Sequence, residues 1–336
     1  MQTIIHSQPN IHPIFDEFDR VYSLTSNKTN KSLVPYVFSP SFKSIFDVFY
    51  TYGNVSYTKS YVKRDYKPID ISKNENTVVV CVSGGKDSIA TVLYFRKRGY
   101  NIIMYHLRGI NYTYKDEYKA VQILADKLHL PLVIEDVTLK GKQDWVEHPL
   151  KNMIIANMAL QYAIRNKLGK RIAFGNFSSS SLNCDPFEVC GGDCAEMWEV
   201  YTKIIRGVIP RFNVLTPLEN FQDTIDLLLY KPKLLPYIQS CIGAYRYREK
   251  LRKYNQQKYN IELPEHRCGS CWKCCLEYCV FCDKGVYEYN EKYYLHCLSI
   301  LQGTLNKETG MKNSLYDVFN HYFFYSLSKS HCSDFI

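Results

Sequence analysis

The chain has 336 residues, of which 46% are hydrophobic, and 42 basic against 33 acidic residues give it a net charge of +9. This length suits one large domain or two modest ones with a substantial core. Because the positive charge is spread along the chain, it suits a polyanionic ligand such as ATP without establishing nucleic-acid binding.

No apolar run approaches the roughly 18 residues of a transmembrane helix, and residues 1–13 lack the basic and apolar regions of a signal peptide. Thirteen cysteines without a secretion signal indicate a reducing compartment, where thiols bind metals or act in catalysis rather than pairing as disulfides. We therefore expect a cytoplasmic protein with no membrane partner.

Residues 1–76 are predicted to form an N-terminal extension of unknown role, because scattered prolines interrupt any long periodicity there. Residues 55–62 alternate as in a strand. The favoured interpretation is a cap on the main domain, and the alternative is a module that recognises a substrate or partner.

Residues 77–240 alternate between strands and helices, which predicts an α/β fold with a doubly wound parallel sheet. Ligands bind such sheets outside the carboxyl ends of the strands. The predicted strands are Val78–Val82, Asn101–His106, Leu132–Asp136, Arg171–Gly175 and Val214–Leu218. The predicted helices are Ile89–Arg98, Tyr114–His129, Lys151–Lys167, Trp198–Ile205 and Phe221–Leu229.

The first of these strands ends in Ser83-Gly84-Gly85-Lys86-Asp87-Ser88, and a helix follows at once. The unpaired amides and dipole of a helix N-terminus favour an anion, and glycine lets a phosphate approach the backbone closely. The spacing differs from the Walker pattern, which has four residues between its glycines. This loop is the predicted phosphate site.

Three further segments are predicted to border the same crevice. The second predicted strand ends near Leu107, and main-chain groups there could contact an adenine edge. Gly175 opens a Ser/Asn-rich loop that suits phosphate or a polar substrate, although a solvated loop has the same composition. Asp193 could accept hydrogen bonds from a guanine-like edge, whereas its neighbours Cys184, Cys190 and Cys194 could be redox-active, nucleophilic or cluster ligands.

Residues 241–336 are predicted to be a zinc-binding segment and a helical tail. Cys268, Cys271 and Cys274 have paired two-residue spacings that direct thiolates at one ion, and Cys241 is the predicted fourth ligand of a structural Zn²⁺. Free thiols and an iron–sulfur cluster are the alternatives. A second ion at Cys279 and Cys282, with His296 or Cys297, is a weaker possibility.

The loop at Ser83–Ser88 resembles the pyrophosphate loop of the PP-loop ATPases, which cleave ATP to AMP and pyrophosphate. Across residues 77–278 the chain resembles the 7-cyano-7-deazaguanine synthases within that superfamily. The matching segments are His148-Pro149-Leu150-Lys151-Asn152, Gly192-Asp193-Cys194, Pro217-Leu218, Ser240-Cys241 and Cys268-Gly269-x-Cys271-x-x-Cys274. That family converts a carboxylate to a nitrile with ATP and ammonia.

The resemblance implies ATP, Mg²⁺ and Zn²⁺ as cofactors and a deazapurine-like small molecule as substrate. The amides of Gly84 and Gly85 and the hydroxyls of Ser83 and Ser88 are assigned to the phosphates. Lys86 would add charge there, and Asp87 would hold Mg²⁺. Lys151, where the family has arginine, would pair with a phosphate or carboxylate, and Asp193 would contact the substrate.

The chain also departs from the family pattern. Lys86 replaces an apolar residue and is commoner in PP-loop enzymes that thiolate tRNA, Ala195 follows Cys194 in place of arginine, and residues 1–75 have no counterpart. A tRNA sulfurtransferase and a catalytically silent nucleotide-binding subunit are therefore the alternative functions. A nucleic-acid or protein acceptor and a homodimer are further possible partnerships.

Overall fold

The computed structural model describes residues 2–6, 35–38, 58–61, 76–108, 117–136, 151–175, 195–219, 221–241 and 245–307. The strands are β1 (Gln2–His6), β2 (Pro35–Phe38), β3 (Thr58–Tyr61), β4 (Thr77–Cys81), β5 (Asn101–Arg108), β6 (Leu132–Asp136), β7 (Ile172–Ala173) and β8 (Val214–Leu215). The helices are α1 (Lys86–Lys97), α2 (Glu117–Leu128), α3 (Lys151–Arg165), α4 (Ala195–Arg206), α5 (Phe221–Leu229), a 3₁₀ turn (Pro232–Tyr237), α6 (Tyr245–Tyr259), α7 (Trp272–Asp283) and α8 (Glu291–Lys307).

Six strands form one sheet in the order β1-β6-β5-β4-β7-β8, and every pairing in it is parallel. The chain builds outward from β4 through β5 to β6, then crosses back to add β7 and β8 on the other side of β4. This order confirms the predicted α/β fold with a doubly wound parallel sheet. The direction in which the chain adds successive strands reverses between β4 and β7.

The central strand β4 is buried along its whole length, as its run of β-branched residues predicts for a strand covered on both faces. One face carries a continuous hydrophobic cluster in which Val78 and Val80 join residues of α1, α2 and α5. On the other side, α3 contacts β4, β5 and β7.

The predicted N-terminal extension contributes to two sheets. Residues 2–6 pair in parallel with β6 and form an edge of the main sheet. The strands β2 and β3 pair with each other in a separate two-stranded sheet. The division at residue 76 remains a prediction, but a strand from before it belongs to the main sheet.

The C-terminal helices share the core of the α/β unit. Residues of α7 and α8, among them Phe281 and Tyr293, belong to the same hydrophobic cluster as the sheet residues. A buried ion pair between Arg267 and Glu277 links the segment before α7 to that helix. The predicted boundary at residue 240 therefore does not interrupt the packing.

The predicted helices and strands lie at the expected positions, with β7 and β8 shorter than their hydrophobic runs indicate. Helix α6, whose surface is strongly polar, was not among the predicted helices. None of the helices in the described ranges is long and apolar enough to cross a membrane.

Candidate active site and metal centre

The glycine turn after β4 has the backbone geometry that the sequence indicates. Gly84 has a φ of +80°, a conformation that glycine adopts far more readily than other residues, and a Cβ there would lie 3.1 Å from the Cβ of Ala120. Gly85 is extended and caps α1 without a side-chain hydrogen bond. The first-turn amides of α1 therefore begin directly after the turn, where a helix N-terminus favours an anion.

Gly175, just after β7, lies against the start of α1 at the edge of the sheet where the predicted phosphate loop begins. A Cβ on this residue would lie 2.5 Å from the carbonyl carbon of Asp87 and 2.5 Å from the amide nitrogen of Ser88. Only glycine therefore lets the end of β7 lie against the start of α1. The structure brings Gly175 and the predicted phosphate loop together at the point where the sheet reverses direction, and its contact with ATP remains a prediction.

Asp87 is held by contacts on both carboxylate oxygens. Oδ1 accepts a hydrogen bond of 2.9 Å from the hydroxyl of Thr224, a fully buried residue of α5. Oδ2 lies 2.5 Å from Nζ of Lys86. Thr91 donates to the main-chain carbonyl of Asp87. Thr224 could not be predicted from the sequence, because nothing in its local sequence marks a partner 137 positions away.

The hydroxyls of the two serines in the loop, Ser83 and Ser88, differ in exposure and in their hydrogen bonds. Ser83 is exposed, and its hydroxyl accepts a hydrogen bond of 3.4 Å from the amide of Gly85. Ser88 is buried, and its hydroxyl donates to the carbonyl of Gly85 at 2.9 Å. Ser83 is therefore the better placed of the two for a ligand, whereas Ser88 holds the turn.

Residues 239–241 connect the loop to the cysteine cluster. The amide of Gln239 donates to the carbonyl of Gly84 at 2.8 Å, and the hydroxyl of Ser240 accepts a hydrogen bond of 3.0 Å from the amide of Lys86. Cys241 follows directly and is one of the clustered cysteines. Three consecutive residues thus contact both candidate sites.

The carboxyl ends of β5 and β6 carry further polar groups. His106 donates from Nδ1 to the carbonyl of Val82 at 2.9 Å, and burial lowers the pKa of this imidazole, so it is neutral at pH 7. Arg108 forms a two-point ion pair with Asp136. Leu107 lies between His106 and Arg108 in the sequence, and its side chain is buried. Only its main chain could therefore make the predicted contact with adenine.

The structure describes only the backbone of Lys151 and does not describe Asp193, two of the predicted catalytic residues. Lys151 is the first residue of α3, which places its backbone at the carboxyl edge of the sheet because α3 runs antiparallel to the strands. Asp193 lies outside the described residues, as do Cys184, Cys190 and Cys194. Their assigned roles remain predictions.

The four predicted metal ligands meet. One ligand atom from each of Cys241, Cys268, Cys271 and Cys274 lies within 4.8 Å of all the others, and the sulfurs of Cys241 and Cys271 are 3.8 Å apart. Asn255 supports the loop by donating to the carbonyl of Cys268 at 2.9 Å. The sequence spacing and the structure therefore agree on this set.

This spacing fits one tetrahedral ion. Four thiolates at about 2.3 Å from Zn²⁺ have their sulfurs about 3.8 Å apart. A cluster of four irons binds each of four thiolates at a different iron, so its ligands stand further apart. Hydrogen bonding with the Cys268 thiol, the largest effect, lowers the pKa of Cys241 to about 7, and hydrogen bonds from Cys241 and the other thiols lower the pKa of Cys271. The same hydrogen bonding, first of all with Cys241, raises the pKa of Cys268 and of Cys274 because neighbouring thiolates repel one another. A cation is the natural partner for thiolates so close together.

No second metal-binding group of three or more such ligands occurs within the part of the chain that the structure describes. The sulfur of Cys282 donates to the carbonyl of Glu288. The imidazole of His296 stacks on the ring of Tyr259. The weaker possibility of a second ion at these residues therefore finds no support.

No model of a known protein family matches the chain, and no curated protein matches it. Among solved structures, it is similar to the U34-tRNA thiolase NcsA from Methanococcus maripaludis with its 4Fe-4S cluster, at 16% identity and a TM-score of 0.35, covering 64% of this chain and 73% of that one. It is also similar to the NH3-dependent NAD synthetase from Campylobacter jejuni, at 15% identity and a TM-score of 0.30, covering 80% and 94%. Both similarities are weak, and the fold class rests on the strand order and pairing.

Proposed function

We propose that the protein is an ATP-dependent enzyme that forms AMP and pyrophosphate, with the triphosphate bound by the loop at residues 83–88. The position of this loop carries the proposal. It follows the central strand β4 where the sheet reverses direction, and Gly175 at the end of β7 packs directly against it. In doubly wound sheets this crevice is where the ligand binds.

The loop residues have distinct roles in this proposal. The amides of Gly84 and Gly85 and the hydroxyl of Ser83 contact the phosphates, and Ser88 holds the turn. Nζ of Lys86, which neutralises Asp87 in this structure, moves to the phosphates. The oxygen of Asp87 that it leaves would then be available to hold Mg²⁺. Catalysis rests on positioning and on stabilising the charge of the departing pyrophosphate.

The finer form of the proposal is a reaction like that of the 7-cyano-7-deazaguanine synthases, and it rests on the ordered motifs at residues 77–278. A carboxylate oxygen attacks the α-phosphate of ATP and releases pyrophosphate. Ammonia then displaces AMP to give an amide, and a second ATP activates the amide oxygen, whose loss with AMP leaves a nitrile. The substrate is 7-carboxy-7-deazaguanine or a diverged deazapurine, nucleic-acid or protein acceptor, contacted by Lys151 and Asp193.

The test measures AMP formed from ATP labelled at the α-phosphate, with 7-carboxy-7-deazaguanine and ammonium present or absent. Substrate-dependent AMP is expected from the intact protein and none from Asp87→Ala. The exposed acid Asp226 of α5 provides the matched control, Asp226→Ala, which should retain activity. Unchanged AMP formation by Asp87→Ala would refute the assignment of the loop.

The same assay separates the alternatives. AMP formation that requires tRNA and a sulfur donor would indicate a sulfurtransferase. Tight ATP binding without AMP under either condition would indicate a silent nucleotide-binding subunit.

We also propose that Cys241, Cys268, Cys271 and Cys274 bind one structural Zn²⁺. The support is the close approach of the four sulfurs, which suits one tetrahedral ion. Metal analysis should find about one zinc per chain in the intact protein and none in Cys271→Ala, whereas Cys282→Ala, outside the group, should retain it. A brown protein containing iron would contradict the assignment.

A cytoplasmic location and a homodimer complete the proposal. The cysteine content supports a reducing compartment. Light scattering on the purified protein tests the dimer, and a mass near 39.3 kDa, that of one chain, would contradict it.

A further inference from the structure

Helix α6 is rich in basic and aromatic residues, and none of them is assigned to the proposed ATP site. Its 15 residues include six lysines and arginines, four tyrosines and one acid, Glu249. The helix alone therefore has a formal charge of +5, against +9 for the whole chain.

The inner face of α6 is committed to the cysteine cluster. Leu251 packs against the clustered cysteines. Asn255 donates to the carbonyl of Cys268 at 2.9 Å and to the hydroxyl of Ser270 at 2.7 Å. These contacts fix the orientation of the helix and leave its opposite face outward.

The outward face carries tyrosines and lysines in alternation. Tyr247, Lys250, Tyr254 and Lys258 follow one another at helical spacing and form one stripe, which we call the α6 stripe. Tyr247 is 61% exposed and Tyr254 is 55% exposed, although tyrosine usually buries most of its ring. Nζ of Lys258 lies 5.5 Å from the ring centroid of Tyr254.

We propose that the α6 stripe binds single-stranded nucleic acid. Exposed aromatic rings stack with unpaired bases of any sequence, and the lysines between them neutralise phosphates. The stripe extends over about 16 Å of helix, enough for a few nucleotides.

Other occupants fit this face less well. A helix that binds an anionic membrane needs a broad apolar face opposite its charges, whereas the inner face of α6 is occupied by the cysteine cluster. A duplex would meet the lysines, but its stacked bases would leave the tyrosines without a role.

The test is fluorescence anisotropy of labelled 12-nucleotide oligo(U), oligo(dT) and a 12-base-pair duplex with the full chain, in the absence of ATP. Because no ATP is present, failure here is distinct from failure of the proposed reaction. Both single strands should bind more tightly than the duplex, and their ratio shows whether RNA or DNA is preferred.

Substitutions separate the two parts of the stripe. Tyr247→Ala with Tyr254→Ala should weaken binding of single strands by about tenfold or more for each ring. Lys250→Gln with Lys258→Gln should lower the slope of log affinity against log salt by about 1.4, because each phosphate contact on a single strand contributes about 0.7.

A matched control comes from elsewhere on the surface. Tyr230 is 57% exposed, and Nζ of Lys231 lies 5.7 Å from its ring centroid. Tyr230→Ala with Lys231→Gln removes the same chemistry outside α6 and should leave affinity unchanged. Circular dichroism melting checks that all variants fold.

Three results would overturn the proposal. These are equal losses in the control and the stripe variants, duplex binding as tight as that of single strands with no effect of the tyrosines, and displacement of the oligonucleotide by anionic phosphatidylserine vesicles.

Discussion

Asp87 has a fixed orientation because Thr224, a distant and fully buried residue, donates a hydrogen bond to its carboxylate. Partners that orient a metal-binding carboxylate affect metal affinity or activity by about 10–100-fold. Thr224→Val keeps the shape of the side chain but removes the donor. We expect the Mg²⁺ concentration for half-maximal AMP formation to rise by about tenfold or more, measured by Mg²⁺ titration of ATP turnover.

Thr91→Val is the control for this prediction. Its hydroxyl contacts the main-chain carbonyl of Asp87 and not the carboxylate, so the Mg²⁺ dependence should be unchanged. Equal shifts in both variants would show that Thr224 acts through general stability.

His106 makes the stability of the protein dependent on pH. Burial, the largest effect, and the nearby Arg108 lower the pKa of His106 below the value of about 6.5 for an unfolded chain. The unfolded state therefore binds more protons between these two pKa values, and stability falls as pH decreases below about 6.5. The slope from one histidine is at most about 1.4 kcal/mol per pH unit.

Urea denaturation at pH 7.5 and 5.5 measures this dependence. His106→Gln should reduce the difference in unfolding free energy between the two pH values. His296→Gln, in a less buried position, should reduce it by a smaller amount. A pH difference unaltered by His106→Gln would show that other groups cause it.

At the scale of elements, the contact between the end of β7 and the start of α1 shapes the crevice. In Gly175→Ala the added Cβ would meet backbone atoms at 2.5 Å, and these cannot move without shifting α1. We expect a loss of roughly 1–3 kcal/mol of stability, as for overpacking, and a clear loss of ATP affinity by isothermal titration calorimetry.

Gly99→Ala provides the comparison. Gly99 has a φ of +74° but open space around its Cβ position, so alanine there costs about 1 kcal/mol of stability without touching the loop. ATP affinity should be retained. A Gly175→Ala variant that binds ATP normally would place the ligand elsewhere.

At the scale of the whole molecule, residues 239–241 link the proposed metal centre to the proposed phosphate loop. Removal of the proposed ion should free Cys241 and weaken the hydrogen bonds from Gln239 and to Ser240, each worth about 0.5–1.5 kcal/mol. We expect Cys241→Ala to lower affinity for a non-hydrolysable ATP analogue by about tenfold as zinc is lost, measured by calorimetry and metal analysis. Cys282→Ala should change neither, and zinc loss with intact ATP affinity would contradict the coupling.

Much of this architecture could be predicted from the sequence, because its signals are local. The β-branched run of β4, the glycine turn and the cysteine spacing each act within a few residues. The strand β1 escaped prediction because a five-residue edge strand has no distinctive periodicity, and α6 because its polar face masks its helical pattern. Thr224 depends on tertiary packing alone, since a buried threonine in an apolar helix has no local mark of function.

The order of synthesis gives the link at residues 239–241 a further consequence. The residues of the proposed phosphate loop are synthesised early. The amide of Lys86 gains its hydrogen-bond acceptor, Ser240, only 154 residues later, and Cys241 can meet Cys268, Cys271 and Cys274 only after these have been made. Until those cysteines emerge, Gln239 and Ser240 can contact the loop, but Cys241 lacks the partners with which it would hold the proposed ion. A chain truncated before residue 268 should therefore contain the whole glycine motif and still bind nucleotide poorly, so that ATP binding depends on the synthesis of residues 268–274.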